Sequence, residues 1–315
     1  MCISIREKIY MSSLVSIIIP TYQGTENILM AINSALNQTY KPIEIIVVDD
    51  NGLGSECQIK TKDLLSEYIL AGRIKYIAHK TNKNGSSARN TGMKAARGEY
   101  FSFLDDDDYL MPTKTEKQVR LFEQLDEDYG LVYCSGFITK PTGIGYKLDI
   151  IEDDPLYNLL IGKLRFNSSM IMIRKQIFLE TGGFDESYSR HQDWEFCCRV
   201  LSKFKAKALP EHLVVKYIMD RNVPKNPDKA VQLRMYFLEK NKNIIHSLGE
   251  HEEKEILAFH MRDLALAYLL NGDLRNAFVW LVKAGNPVIQ GLLLLKYAIK
   301  RKTVHREKYA KALKG

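Results

Sequence analysis

Apolar residues in the first hundred positions come in short β-branched runs, and these alternate with stretches of helical spacing. Residues 14–19 (LVSIII) form one run, which stops at Pro20. A run bounded in this way reads as a strand buried on both faces of a parallel sheet. Ile28, Leu29, Ile32 and Leu36 then recur at helical spacing within 24–38, and a second run, 43–48 (IEIIVV), ends at Asp49-Asp50. The pattern predicts a helix over 59–70, a strand over 73–78 and a helix over 85–97 closed by Gly98. A strand over 99–104 follows and runs into Asp105–Asp108. Alternating strands and helices predict right-handed crossovers and an α/β fold with a mostly parallel sheet.

The later pattern is mixed. Strands are predicted at 131–138, 168–174 and 213–218, with a helix near 191–203. From about 228 the spacing is helical throughout. Residues 258–287 read as one helical hairpin, with Gly272-Asp273 at its turn and Pro287 after it. Pro224 and Pro227 mark the expected boundary, so 228–315 reads as a helical appendage to an α/β domain over 14–223, with 1–13 as a tail.

Composition narrows the class. With 45% apolar and 26% charged residues, the 315-residue chain is expected to build a sizeable core as a soluble globular protein. Cys2, Cys57, Cys134, Cys197 and Cys198 are odd in number and show no C-x-x-C spacing, which argues against a disulfide framework or zinc site and for a reducing cytoplasm. No stretch approaches the ~18–20 apolar residues of a membrane span. The opening MCISIREKIYMSS lacks the apolar core of a signal peptide, and Met11 is an equally good start.

The net charge is +7, and from Gly291 onward eight Lys/Arg face one acid, so the rest of the chain is neutral. That concentration argues against nucleic acid as a partner, because such proteins spread basic residues over their body. The tail LLLLKYAIKRKTVHREKYAKALKG has two readings of equal weight: a membrane-surface helix on anionic lipid, or a solvated basic helix end.

Candidate chemistry sits where three strands end: Pro20-Thr21-Tyr22, Asp49-Asp50 and Asp105–Asp108. Ligands of parallel α/β sheets bind at such carboxyl ends. Four adjacent carboxylates repel one another, and a hard cation such as Mg²⁺ or Mn²⁺ relieves this; alternatively they form a solvated acidic loop. Asp49-Asp50 could accept hydrogen bonds from a nucleobase or ribose, although Asp-Asp-Asn-Gly is also good turn chemistry. In NGSSARNTGMKAAR (84–97), small residues allow close backbone approach. A helix N-terminus there favours phosphate, and Arg89 is either a diphosphate or base contact or an ordinary partner of an acid. Asp193, in HQDWEFCCRV, is either a first-turn helix charge or a catalytic group, and Glu195 with Arg199 reads as a surface pair. Trp194 is either core or a stacking platform for an acceptor sugar, and His191 reads as polar structure. No P-loop or G-x-G-x-x-G occurs, against an ATPase or dehydrogenase.

With these residues in view, the chain resembles bacterial family-2 glycosyltransferases of GT-A fold. The resemblance is carried by VSIIIPTYQG (15–24), SALNQTY (34–40), IEIIVVDDNG (43–52), NGSSARNTGMKAARGEYFSFLDDDD (84–108), ETGGFDE (180–186) and QDWEFCCR (192–199). It implies an inverting, metal-dependent transfer of a sugar from a nucleotide-diphosphate donor, with a UDP-sugar as default, to a glycan or lipid-linked glycan in cell-envelope assembly. It implies a nucleotide-binding half over 14–108 and an acceptor half over 109–223. Pro20, Thr21 and Tyr22 would line the nucleotide pocket, and Asp49, Asp50 and Arg89 would contact the nucleotide. Asp105 and Asp107 would be the ends of the D-x-D that holds Mn²⁺ or Mg²⁺, with Asp106 nearer the ribose and Asp193 as general base. Two features depart from the family pattern: Gln192 stands where Glu is common, and 217–226 (YIMDRNVPKN) alters a later motif, leaving Arg221 and Lys225 as weak diphosphate candidates. Sugar-nucleotide pyrophosphorylase and non-catalytic scaffold are the competing functions. The first lacks its Gly-rich loop in PTYQGTEN, and the second sits badly with an intact D-x-D and Asp193.

Overall fold

The computed structural model describes residues 13–23, 27–139, 145–148, 150–217 and 226–304. The weak candidates Arg221 and Lys225, residues 1–12 of the N-terminal tail and residues 305–315 of the basic C-terminal tail lie outside them.

Among the described residues, one nine-stranded sheet organises the fold. Its strands are β1 Val15–Thr21, β2 Ile43–Asp49, β3 Lys75–Ala78, β4 Tyr100–Phe103, β5 Asp108–Leu110, β6 Tyr129–Thr139, β7 Gly145–Lys147, β8 Ile171–Arg174 and β9 Lys205–Tyr217. They lie in the order β3-β2-β1-β4-β8-β6-β9-β5, with β7 beside β6. β1, β2, β3 and β4 are parallel, as the alternating pattern predicts, whereas β8 runs antiparallel to β4 and β6, and β5 antiparallel to β9.

β1 is buried along its whole length because both faces of the sheet are covered. Val15, Ile17 and Ile19 pack with Ile28, Ala31, Ile32 and Ala35 of the helix Asn27–Leu36. Ile18 points the other way, into a cluster with Met93, Phe101, Phe103, Phe184 and Phe196. Gly92 lets the helix Gly85–Ala95 sit on this face: a Cβ there would lie 2.3 Å from Ile18 Cγ2.

Three expectations change. Gly98 does not close the helix, which ends at Ala95. Its role is close approach, since a Cβ would lie 2.5 Å from Ser16 Oγ and 2.7 Å from the Leu14 carbonyl. The helix expected over 59–70 is two, Glu56–Leu64 and Ser66–Leu70, hinged on buried Leu65. β9 begins at Lys205 rather than 213; its first half has no apolar run, and Pro210 falls in an irregularity between the Tyr133–Ala208 and Ser135–His212 pairs.

The C-terminal part is helical, as expected: Pro227–Lys240, Lys242–Ser247, Glu250–Leu270, Leu274–Lys283 and Pro287–Val304. Gly272 at φ 80° makes the hairpin turn. Phe237, Leu238, Ile245 and Ile256 are buried in the same cluster as Phe184 and Phe196, so the first of these helices share the core of the sheet domain. Ala265, Leu266 and Leu294 form a small cluster of their own.

Candidate functional site

The chain crosses from β3 to β4 on the far side of β1, so the order of the sheet reverses between β1 and β4. Crevices for ligands open at such switch points. β4 stops at Phe103 while β1 continues to Thr21. The Ile18 carbonyl accepts from Leu104 N, and the Thr21 carbonyl accepts from Asp50 N, so alternate residues of β1 face opposite neighbours. Pro20 shares the side of Ile18 and meets it after β4 has ended, where a missing N–H removes no ladder bond. Tyr22, just past the strand, is half exposed.

The acidic cluster is tied down on both sides. Thr21 Oγ1 donates to Asp106 at 2.6 Å. Asp105 accepts from Arg89 Nη2 at 2.6 Å and from Ser168 Oγ at 2.8 Å, and its backbone N–H donates to Ser169 Oγ. Lys216 of β9 lies 3.4 Å from Asp105 and 3.5 Å from Asp108. Against the effect of burial, Arg89 and then Lys216 hold the Asp105 carboxyl well below the usual range. Asp108 is fully buried and accepts from Ser169 Oγ at 2.6 Å. Burial, reinforced by Asp105 and Asp107 and opposed by Lys216, pushes its pKa up to about 7.

Carboxylate oxygens of Asp105, Asp107 and Asp108 lie within 4.8 Å of one another. Three hard oxygen donors at that separation fit Mg²⁺ or Mn²⁺. Ser168, Ser169 and Lys216 escaped the sequence reading, and Asp108 was read there as one of four adjacent carboxylates, without a role of its own. A run of four identical residues does not say which of them turns into the core. NSSM (167–170) before an apolar run and a lysine ending a strand were the only other signals.

Asp193 stands in the first turn of the helix Gln192–Leu201 and is partly buried. Burial raises its pKa, with Asp105 adding and Arg89 and Lys216 opposing. His191 precedes the helix at φ 60°, and burial beside Arg234 and Arg190 lowers its pKa to about 3, so it is neutral at physiological pH. Trp194 is neither fully core nor free: its ring packs on Phe237 and His191, with Arg234 above it.

Arg89 joins the two groups. Its side chain is nearly buried; Nη2 donates to Asp105, and Nη1 donates at 3.2 Å to Gln192 Oε1, next to Asp193. The helix that carries it starts at Asn84, whose Oδ1 accepts from Ser87 N. Arg89 thus pairs with an acid, but inside the cleft rather than on the surface.

Glu195 and Arg199 also differ from expectation. Glu195 is buried, and Arg199 donates to it and to the carbonyls of Thr181 and Gly183, so the pair braces the Gly182-Gly183 turn. Gly182 and Gly183 have φ of 74° and 87°, and a Cβ on Gly183 would lie 2.4 Å from Asn90 Oδ1. Only glycine lets the turn close so tightly onto the Arg89 helix.

Asp49 and Asp50 are both buried. Asp49 accepts from Tyr76 Oη at 2.6 Å and from Asn51 N. Asp50 accepts from Asn82 Nδ2, Lys83 N and Asn84 N and pairs with His79 Nδ1 at 2.6 Å. Asp50 therefore anchors the loop that launches the Arg89 helix.

Residues 16–182 match the family model described as glycosyl transferase family 2, and 145–221 match a second one, glycosyltransferase like family 2. The chain belongs to glycosyl transferase family 2. Among curated relatives, an uncharacterized glycosyltransferase of Rickettsia typhi is 37% identical over 202 residues, covering 60% of this chain and 59% of its own length. One of Rickettsia felis is 37% identical over 196 residues, 60% of this chain but 31% of that protein. The chain thus spans 31% to 59% of the length of these relatives. The Escherichia coli protein WfaP, named as a UDP-Glc:alpha-D-GlcNAc-diphosphoundecaprenol beta-1,3-glucosyltransferase, is 29% identical over 270 residues, 84% of this chain and 96% of its own. Among solved structures, Staphylococcus aureus TarS 1-349 in complex with UDP-GlcNAc aligns with a TM-score of 0.58 at 16% identity, covering 84% of this chain and 89% of that one. The mannosyltransferase PcManGT of Pyrobaculum calidifontis, in complex with GDP-Man and Mn²⁺, aligns with a TM-score of 0.57 at 17% identity, covering 91% and 80%. At those identities the two structures establish a shared GT-A-type fold.

Proposed function

We propose that this chain is an inverting, metal-dependent glycosyltransferase that moves a sugar from a UDP-sugar donor to a hydroxyl of a glycan or lipid-linked glycan. The observation that carries the reading is the Arg89 bridge. One buried guanidinium holds Asp105 of the acidic cluster and Gln192 beside Asp193, so a proton acceptor and a diphosphate-binding cluster share one cleft. The names of the E. coli relative and the TarS complex support a UDP-sugar, and the former supports a lipid-linked acceptor. The Mn²⁺ of PcManGT supports a divalent cation.

In this reading Pro20, Thr21, Tyr22 and Asp49 line the nucleotide pocket. The Asp49 oxygens keep lone pairs for a base or ribose beside their bonds to Tyr76 and Asn51. A Mg²⁺ or Mn²⁺ ion held by Asp105, Asp107 and Asp108 would neutralise charge growing on the departing diphosphate. The acceptor oxygen bonds to the anomeric carbon from the face opposite the diphosphate. The bond to the diphosphate oxygen breaks with its electron pair, the nucleoside diphosphate leaves, and Asp193 takes the hydroxyl proton. One displacement inverts the anomeric centre. Burial makes Asp193 a stronger base than a solvated carboxylate, and transfer is late, once the attacking oxygen has become acidic.

Asp193→Asn tests this directly. Release of nucleoside diphosphate falls by roughly 10²–10⁴-fold, the span of general-base catalysis, while calorimetric donor affinity stays within about twofold. Retained turnover with lost donor affinity would make Asp193 a binding residue, and pyrophosphate as product would indicate nucleotidyl transfer.

A further inference from the structure

The last two helices, Leu274–Lys283 and Pro287–Val304, leave much of their apolar surface uncovered. Leu274, Phe278 and Val282 lie on one side of the first helix, and Val288, Leu292 and Leu295 on one side of the second. Phe278 is 59% exposed and Leu292 64%. Other sides are used for packing: Trp280 and Leu294 sit against Ala265 and Leu266 of the helix Glu250–Leu270. Both exposed sides therefore turn away from the same small core. An exposed apolar surface of this extent marks an interaction site.

Its charge says what it meets. Residues 274–304 contain no Asp or Glu and six cations: Arg275, Lys283, Lys296, Lys300, Arg301 and Lys302. The neighbouring helix Glu250–Leu270 is mixed, with five Asp/Glu among its charged residues. From Leu274 to the end the chain has ten Lys/Arg and one Glu, leaving 35 Lys/Arg against 37 Asp/Glu elsewhere. Arg275, Lys283 and Lys296 are exposed among the apolar residues, where long basic side chains can lay their stems on apolar surface and lift their charge to phosphate. Apolar residues mixed with cations and free of carboxylates match the interface of an anionic bilayer.

We propose that these two helices are an interfacial anchor that lies on an anionic lipid surface. They lie on the bilayer rather than cross it. Leu274–Lys283 is about 15 Å long, half of a ~30 Å hydrocarbon core, and the second helix turns from it by 109° and carries four cations. The anchor stands apart from the transferase reading, because lipid binding is measured without turnover.

The test is flotation of the full chain with vesicles of phosphatidylcholine alone and of phosphatidylcholine with phosphatidylglycerol at roughly 2:1. Expected is binding to the anionic vesicles, at least roughly tenfold weaker to neutral ones, and weakened by salt. Phe278→Glu with Leu292→Glu reduces the bound fraction roughly tenfold with unchanged circular dichroism, since both residues are exposed. Lys296→Gln with Lys300→Gln lowers the anionic preference. No binding to either vesicle, or equal binding by the variants, overturns the anchor. So does a dimer in light scattering that the Phe278 and Leu292 changes dissociate while vesicles leave the chain unbound: the covering partner would then be a second copy.

Discussion

Arg89 donates to Gln192 at 3.2 Å, one position before Asp193, and this bond reaches across 103 residues of sequence. Because Gln192 is neutral, Asp105 is the carboxylate that this guanidinium pairs with directly, 2.6 Å from Nη2. The planar fork of arginine suits this double engagement, and the single ammonium of lysine cannot reproduce it.

Arg89→Lys is expected to lower turnover on the order of 10²-fold. A lost charge-assisted bond near a reacting group is worth about 2–3 kcal/mol, and each 1.4 kcal/mol is a factor of ten. Steady-state kinetics with thermal melts checks this: the melting midpoint should move little compared with the rate. A large loss of stability with normal kcat would make Arg89 a purely structural residue.

Asp107→Asn and Asp108→Asn are each expected to weaken Mn²⁺ binding at least roughly tenfold, since a hard cation loses a charged oxygen ligand. Calorimetry of Mn²⁺ with the purified chain measures this, and removal of divalent ions with a chelator should stop product release. Turnover that survives chelation would rule out the metal.

Lys114 is fully buried, with Ser102 Oγ at 3.0 Å and Gln118 Oε1 at 2.8 Å as neutral partners. Burial lowers its pKa to about 8 from 10.5. Between those values the unfolded chain binds more protons than the folded one, so rising pH favours the folded state. The charged lysine therefore costs about 3 kcal/mol below pH 8, and this cost disappears toward pH 10.5. Denaturant titrations of Lys114→Met and the parent should show the stability difference shifting toward the parent by about that amount from neutral pH to pH 10.5. A constant difference would refute the buried charge.

Gly92→Ala places a methyl 2.3 Å from Ile18 Cγ2, where helix and strand both resist movement. Overpacking of this kind costs typically 1–3 kcal/mol. Arg89 is three residues away on the same helix, so activity should fall with stability in melts and assays. A variant as stable and active as the parent would show that the helix can shift.

Local pattern alone determined the parallel strands β1 to β4, the helices between them and the helical C-terminal region. The reason is that a strand buried on both faces must be continuously apolar, and a helix on a sheet must repeat its apolar residues every three to four positions. The acidic cluster and Asp193 were also legible, because four adjacent carboxylates after a strand and the QDWEF segment are local signals. Tertiary structure alone decided what these residues touch. Ser168 and Ser169, from the 3-10 turn before β8, and Lys216 of β9 reach Asp105 and Asp108 from far along the chain, and Asp108 separates from its three neighbours because it starts β5 inside the core. Asp50 and the Glu195–Arg199 pair carry charges that a sequence would leave on the surface, and folding turns them into braces for the loops around Arg89. Burial and long-range hydrogen bonding depend on where the chain returns in space, and no spacing along the sequence encodes that directly.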